Sequence, residues 1–344
     1  MALFDISDVG IDLGTSTTLV YVRGRGIVLT EPSIVAVEKV TGRIVAIGEE
    51  ARQLVGRAPA GITLIRPLRD GVVSNFDITA RMLRYFFEKV VGKRMFRPRV
   101  IVCVPSGVTE AEKRCAIEAA YEAGARYCYL IDEPLAAAIG AEMDIFDPSG
   151  CMVVDIGGGT TDLAVISSGC ILLSDSIRMA GDKFNETLMA YMKFKHGLNI
   201  GERNAEDIKV TYGRAHADTD QRVIDIRGRD AATGSPESVP LGTNEIADAL
   251  YPALSCIVAS IRDLLSRIPA PMVESIQKKG IMLTGGGALL EGLPALITEQ
   301  SECACRVAED PLGCVARGTG IVLEDLNGYR NAIYDYRRGE YYEG

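Results

Sequence analysis

A chain of 344 residues is long enough for two ordinary domains with cores of their own, and 47% hydrophobic against 24% charged residues is the balance of a soluble globular protein. A formal net charge of −9 lacks the basic footprint that broad nucleic-acid binding requires, so no nucleic-acid partner is expected. Nine cysteines in no metal-type spacing indicate thiols in a reducing cytosol, and two histidines, His196 and His216, leave little for a histidine metal site or triad.

Residues 11–21 and 26–29 read as strands, followed by a hairpin of 33–37 with 43–47 around Thr41-Gly42. The turn-rich stretch 31–69 reads as a small insertion. Asp77 is placed to cap a helix through Val91, with Ile78, Met82, Phe86 and Val90 on one stripe and Gly92 as the stop. Residues 93–99 then set four basic side chains around Met95 and Phe96. Residues 100–104 read as a buried strand, Thr109 with Glu112 as a capping box, and 127–131 as a strand. Pro134 opens an alanine-rich helix to about Met143. Strands alternating with helices imply an α/β core.

Asp147-Pro148-Ser149-Gly150 reads as the hinge between halves, with strands 151–155, 163–167 and 170–175 beyond it. Asp182 begins a helix that ends at Gly197, and Asn204 begins another that carries Glu206 and Lys209. Residues 225–228 and 237–241 form a hairpin pattern, which makes 181–241 a second insertion. Thr243 caps a helix broken or restarted at Pro252 and continuing to Ile268. A strand over 280–283 leads into Thr284-Gly285-Gly286-Gly287, and 288–298 reads as a helix. Arg317-Gly318-Thr319-Gly320 precedes the last helix, and the Tyr- and Arg-rich tail beyond Asn327 is expected to be mobile. The opening residues carry no basic signal segment, and no apolar run approaches the roughly 18 residues needed to span a bilayer. The expected location is therefore cytoplasmic, at most peripheral to a membrane.

Three glycine turns follow apolar strands. They are Gly14-Thr15-Ser16-Thr17, Gly157-Gly158-Gly159-Thr160 and Gly285-Gly286-Gly287. Glycine lets a backbone approach a phosphate closely, successive N–H groups make an anion nest, and the hydroxyls add donors. None is a Walker A loop, and none is a GxGxxG turn opening a helix. Asp12 and Asp155 stand at matching places before the first two turns. Carboxylates so placed hold hydrated Mg²⁺ beside a triphosphate, or else cap turns. Glu133, at the start of the helix after 127–131, is either a helix-dipole partner or a group that orients and deprotonates a water. Glu206 and Lys209, three apart on a helix, read by themselves as a solvated pair. The basic segment with Met95 and Phe96 is an ordinary loop or one that inserts shallowly among anionic lipid headgroups.

These residues carry a resemblance. Ile11-Asp12-Leu13-Gly14-Thr15-Ser16-Thr17-Thr18, the stretch from Val154 to Asp162, and Leu283-Thr284-Gly285-Gly286-Gly287-Ala288 are similar to the two phosphate motifs and the adenosine motif of the actin, sugar-kinase and heat-shock-chaperone ATPases. Segments 26–33, 66–72, 102–107, 133–141, 226–230 and 308–312 resemble the MreB/Mbl family of bacterial actins, and the likeness runs from about Asp8 to Leu326. It implies a duplicated α/β actin-like (ribonuclease-H-like) ATPase fold of two domains, each with a smaller inserted subdomain. The nucleotide would lie in the cleft between them. The implied subdomains are IA (1–30, 70–146 and 320–344), IB (31–69), IIA (147–180 and 242–319) and IIB (181–241).

By the same resemblance the cofactors are ATP and Mg²⁺, the latter held through water by Asp12 and Asp155. Thr15, Ser16 and Thr17 would meet phosphates from one half, and Gly157, Gly158, Gly159 and Thr160 from the other. Glu206, Asp207, Ile208 and Lys209 would border the adenosine, beside Gly285, Gly286, Gly287, Ala288 and Leu289. Glu133 and Thr161 would position the hydrolytic water next to Asp162, which stands where the MreB pattern usually has Glu. The implied protein is a slow ATPase that forms filaments and determines cell shape by organising wall synthesis under the cytoplasmic membrane. Its partners would be itself, that membrane through Met95 and Phe96, and membrane proteins of the wall-elongation machinery. The alternatives on the same fold are a chaperone-type ATPase, which would continue into a peptide-binding β domain, and a small-molecule kinase, which would need a substrate pocket and a base in the cleft.

Overall fold

The computed structural model describes residues 8–92, 97–217, 221–335, 340 and 341. Two sheets dominate it. The first runs, edge to edge, Glu340–Tyr341, Tyr334–Asp335, Tyr127–Asp132, Arg99–Val104, Val9–Leu13, Thr17–Val22, Gly26–Pro32. The second runs Cys305–Val307, Ile281–Thr284, Cys151–Ile156, Thr161–Ser167, Cys170–Ile177. Each contains an antiparallel three-strand meander whose first strand is flanked by two parallel strands. The repeat glimpsed in two glycine motifs is thus a repeat of topology. Cys151–Ile156 is buried along its whole length, as expected of a strand covered on both faces.

The halves meet on two helices, Glu133–Gly140 and Cys314–Glu324. They cross on small residues: a Cβ added to Gly140 would fall on the Cys314 carbonyl oxygen, and one added to Gly318 on that of Ala136. The core around the crossing takes Ile101 and Tyr129 from the first sheet, Val153, Ala164 and Ile166 from the second, and Leu135, Val315 and Val322 from the helices. Burial of this shared apolar layer, worth about 25 cal/mol per Å², is what joins the halves.

Two smaller units hang from the sheets. Strands Ile44–Ile47, Val35–Glu38 and Ile62–Ile65 form one. The other joins Leu198–Asn199, Val223–Asp230 and Pro236–Gly242 with helices Gly181–His196 and Glu202–Tyr212. Across from each other they are bridged by Arg66 and Glu202, 2.6 Å apart.

Several local expectations are corrected. The stretch 11–21 is two strands, Val9–Leu13 and Thr17–Val22, folded into a hairpin with Leu13 opposite Thr18, so the first glycine turn is a hairpin tip. The helix Phe76–Val91 is capped by Asn75, whose Oδ1 accepts from Ile78 N at 3.1 Å, and not by Asp77. Arg317 to Gly320 lies inside the helix Cys314–Glu324, because Gly318 is needed at the crossing and Gly320 against the Tyr21 ring, not as a stop. Pro252 lies inside an unbroken helix Thr243–Ser266, which tertiary packing of Ile246, Leu250, Leu254, Ile257 and Ile261 holds together. Residues 288–298 split into a short 3-10 turn, Gly286–Leu289, and a helix, Leu293–Ser301. Part of the tail is fixed: Ile333 is buried and Tyr334 pairs with Leu130 at the sheet edge. The capping box of Thr109 and Glu112 forms as read.

One helix among the described residues, Thr243–Ser266, is long and apolar enough to cross a bilayer by length and composition alone, against the expectation that no run comes near. Half of its apolar stretch is buried, on the face that fills the second core. Met95 and Phe96 lie outside the described residues.

Candidate functional site

The meander geometry sends the first two glycine turns out of corresponding strand ends, and the cleft brings them face to face. A Cβ added to Gly159 would stand 2.5 Å from Thr15 Oγ1, and one on Gly158 would fall on Ser16 Oγ. Only glycine permits this approach. Thr15 Oγ1 accepts from Gly71 N at 2.7 Å, and Ser33 Oγ donates to Gly14 O at 2.6 Å, so the first turn is braced by its own half.

The second turn is braced from behind by the helix Gly181–His196. Gly181 N donates to Gly157 O at 3.1 Å and Asp182 N to Gly158 O at 2.8 Å. The N–H groups of Gly158 and Gly159 donate to no backbone carbonyl among the described residues, which leaves them available to an anion. Asp182 also crosses the cleft: Ser16 Oγ donates to its Oδ1 at 3.2 Å. The sequence marked Asp182 only as a helix start.

Beneath the turns lie carboxylates. Asp155 is buried and accepts from Thr284 Oγ1 at 2.6 Å; burial pushes its pKa up to about 6. Burial, then repulsion from Asp155, pushes Asp12 up to about 8. Glu133 is raised well above the usual range by burial and then by Asp162, and burial raises Asp162 in turn, against the Ser106 N–H that donates to its Oδ1 at 2.8 Å. Three buried carboxylates, Asp155, Glu133 and Asp162, beside the half-buried Asp12 are tolerable as neutral acids or beside a cation. The donor set therefore fits Mg²⁺. No three carboxylate, thiolate or imidazole groups among the described residues come together as a direct metal site.

Side-chain alternation along Thr161–Ser167 separates two residues expected to work together. Asp162 faces Ser106, Ala164 and Ile166 join the layer between the halves, and Leu163 and Val165 point into the second core. Thr161 is fully buried and its Oγ1 donates to Met179 O at 2.6 Å, so the proton of that hydroxyl is committed away from the turns.

The third glycine turn sits against the end of Cys151–Ile156: a Cβ on Gly285 or Gly287 would overlap Ile156. Ala288 is buried there and Leu289 exposed. Across from it, Glu206 Oε2 accepts from Asn185 Nδ2 at 2.6 Å and from Lys209 Nζ at 2.8 Å, and Lys209 Nζ also donates to Gly181 O at 3.0 Å. The pair is therefore tied into the brace behind the second turn. Ile208 is a core residue and Asp207 is exposed. Ser106, Asp182 and Asn185 join these contacts, and none of them was expected there as a ligand-binding group, although Ser106 lies in the segment 102–107.

A duplicated pair of sheets closing glycine turns over buried carboxylates defines an actin-like fold. The profile of the MreB/Mbl protein family matches residues 6–331, and the chain belongs to that family. It is 47% identical over 321 residues to the cell shape-determining protein Mbl of Bacillus subtilis, covering 93% of this chain and 96% of that protein. It is 45% identical over 330 residues to the cell shape-determining protein MreB of Escherichia coli, covering 94% and 95%. The crystal structure of MreB 5 of Spiroplasma citri bound to AMPPNP superposes with a TM-score of 0.89 at 34% identity, covering 94% of this chain and 98% of that one. The MamK double helical filament, at 23% identity and a TM-score of 0.81 over 93% and 99% of the chains, shares the fold.

Proposed function

We propose that the chain clamps Mg-ATP between its two halves, hydrolyses it slowly and polymerises into filaments beneath the cytoplasmic membrane, where it organises wall synthesis and so sets cell shape. The observation that carries this reading is the meeting of two phosphate-type turns from duplicated sheets over four carboxylates, three of them buried. Relatives named cell shape-determining proteins, and an MreB 5 whose structures hold AMPPNP and ADP, support it.

In this reading Thr15, Ser16 and Thr17 bind phosphate oxygens from one jaw and Gly157 to Thr160 from the other. Glu206 to Lys209 and Gly285 to Leu289 flank the adenosine. Asp12 and Asp155 would hold a hydrated Mg²⁺, whose positive charge would favour the ionised form of Glu133. Glu133 then accepts the proton of a water that bonds to the terminal phosphorus while the bond to the bridging oxygen breaks and ADP departs with that electron pair. Thr161, its hydroxyl proton committed to Met179 O, lines the water's position from the second sheet without taking one of its protons. The four-subdomain division stated above is part of this reading. Closure shapes an open head-to-tail contact, which propagates as a filament. Met95 and Phe96 anchor it to lipid, and the protein resides in the cytoplasm at the membrane.

Sedimentation and electron microscopy with ATP, with and without anionic vesicles, test the proposal. Filaments that need ATP, and that leave the vesicles when Met95→Ser and Phe96→Ser are combined, are expected. A chain that stays monomeric well above micromolar concentration in every condition would overturn it.

A further inference from the structure

We propose that Ser106 is a positioning residue for hydrolysis: its hydroxyl completes, with Glu133 Oε1 and Asp162 Oδ2, a three-atom cage that holds the attacking water. The inference rests on the ATPase reading above and names a residue that reading does not use.

Ser106, Glu133 and Asp162 are 4%, 6% and 0% exposed, and each of those three atoms is buried without a hydrogen-bond partner. Buried polar atoms are almost always satisfied, and three orphans in one place call for a shared partner. Their closeness follows from the fold. Val104 and Asp132 are register partners on neighbouring parallel strands, so Ser106 and Glu133 emerge side by side from the carboxyl edge of the first sheet, where such sheets bind ligands. Asp162 arrives from the second sheet, and Ser106 N donates to its Oδ1 at 2.8 Å, which places the serine side chain beside the same carboxylate. Among charged neighbours, Asp162 repels Glu133 most.

The atom types match one water. Two carboxylates accept its two protons, and the serine hydroxyl donates to one lone pair, a task neither ionised carboxylate can perform. The second lone pair is left to bond to phosphorus, with the proton passing to Glu133 as the bridging bond breaks. Two of the three atoms belong to one half and the third to the other, so the cage is complete only when the halves are closed.

The test uses the full chain as Ser106→Ala and Ser106→Thr. A crystal structure of the parent with ADP is expected to hold a water within hydrogen-bond distance of all three atoms, and Ser106→Ala to lose it. Ser106→Ala should lower kcat by about tenfold to a hundredfold, with KM, ATP affinity and melting temperature unchanged. Ser106→Thr, which keeps the hydroxyl, should recover most of the rate. Parental turnover in Ser106→Ala, a loss matched by KM or by melting temperature, or two carboxyl groups bonded to each other with no water between would overturn the inference. A parent that binds ATP and turns it over while Ser106→Ala behaves identically sinks this inference alone. A parent that neither binds nor hydrolyses ATP sinks the proposed function as well.

Discussion

Replacing Gly140 or Gly318 by alanine tests whether the helix crossing fixes how the halves sit. A Cβ on Gly140 would stand 1.8 Å from the Cys314 carbonyl oxygen, and one on Gly318 would stand 1.9 Å from that of Ala136. Ordinary contact is about 3.5 Å, so each methyl must push the facing backbone away by roughly 1.5 Å. No side chain can swing aside, because both obstacles are main chain. Overpacking of this kind costs about 1–3 kcal/mol, and a rigid obstacle puts it near the top of that range. Alanine's better helix propensity returns about 1 kcal/mol. Each single variant should therefore lose about 2 kcal/mol. The two glycines guard one approach, so the first methyl separates the axes that the second would have struck. The double variant should lose about 3 kcal/mol rather than 4, a coupling of about 1 kcal/mol. Urea unfolding of all four proteins at one fixed ADP concentration measures this, since ligand binding itself moves the midpoint. Additive losses, or a single variant as stable as the parent, would refute the reasoning.

Other consequences can be checked separately. Asp155 at about 6 and Asp12 at about 8 lie above the unfolded carboxylate value near 4, so between those values the folded chain binds more protons than the unfolded one. The nucleotide-free protein should lose stability as pH rises through that window, and Mg²⁺ should return more at pH 8 than at pH 6; an equal gain in melting temperature at both would count against the carboxylate cluster. Pro252→Ala should stabilise by about 1–2 kcal/mol, the helix penalty of proline less its restriction of the unfolded chain, and a lower urea midpoint would show that Pro252 makes a contact of its own. Lys279 Nζ holds Asp147 Oδ2 at 2.6 Å and both Ser149 Oγ and Gly150 O at 2.8 Å, so Lys279→Ala should quicken hydrogen exchange at Ser149 and Gly150; unchanged protection would mean that another contact pins this linker.

What could be read ahead of the structure was what the backbone itself demands. The turns at Gly14, Gly157 and Gly285 need glycine for close approach, and Asp12 and Asp155 repeat at matching strand positions, so the duplication left a mark in the sequence. Ser106 and Asp182 left no mark of their contacts, the first being read only as part of the segment 102–107 and the second only as a helix start. Each is a common polar residue in a turn or helix start, and its partner lies 56 residues away in one case and 166 in the other. Glycine also misled. At Arg317 to Gly320 it looked like punctuation, whereas Gly318 admits another helix and Gly320 the ring of Tyr21, and one sequence does not distinguish a glycine that ends a helix from one that packs against a neighbour. Pro252 failed as a helix breaker for a related reason: local propensity yielded to a buried apolar face on either side of it.

The contacts that span the cleft are unequal, and this decides which part can move. Toward the mouth they are Arg66 with Glu202 and Arg178 with Asp70, ion pairs with substantial exposure on both partners. Such pairs contribute about 0–1 kcal/mol each and weaken further with salt. At the floor, the crossing helices and the apolar layer around them would have to separate backbone packed on glycine and expose a shared core. Opening is therefore cheap at the mouth and expensive at the floor, which makes the floor the axis of any rotation. Ser16 with Asp182 and Ser106 with Asp162 lie between these extremes, and they join the proposed phosphate and water sites. A ligand that supplies charge to Asp12 and the three buried carboxylates acts at this middle level, where the protein's own links are few. In the proposed cycle the energy of closure then comes from the bound nucleotide and cation rather than from the mouth.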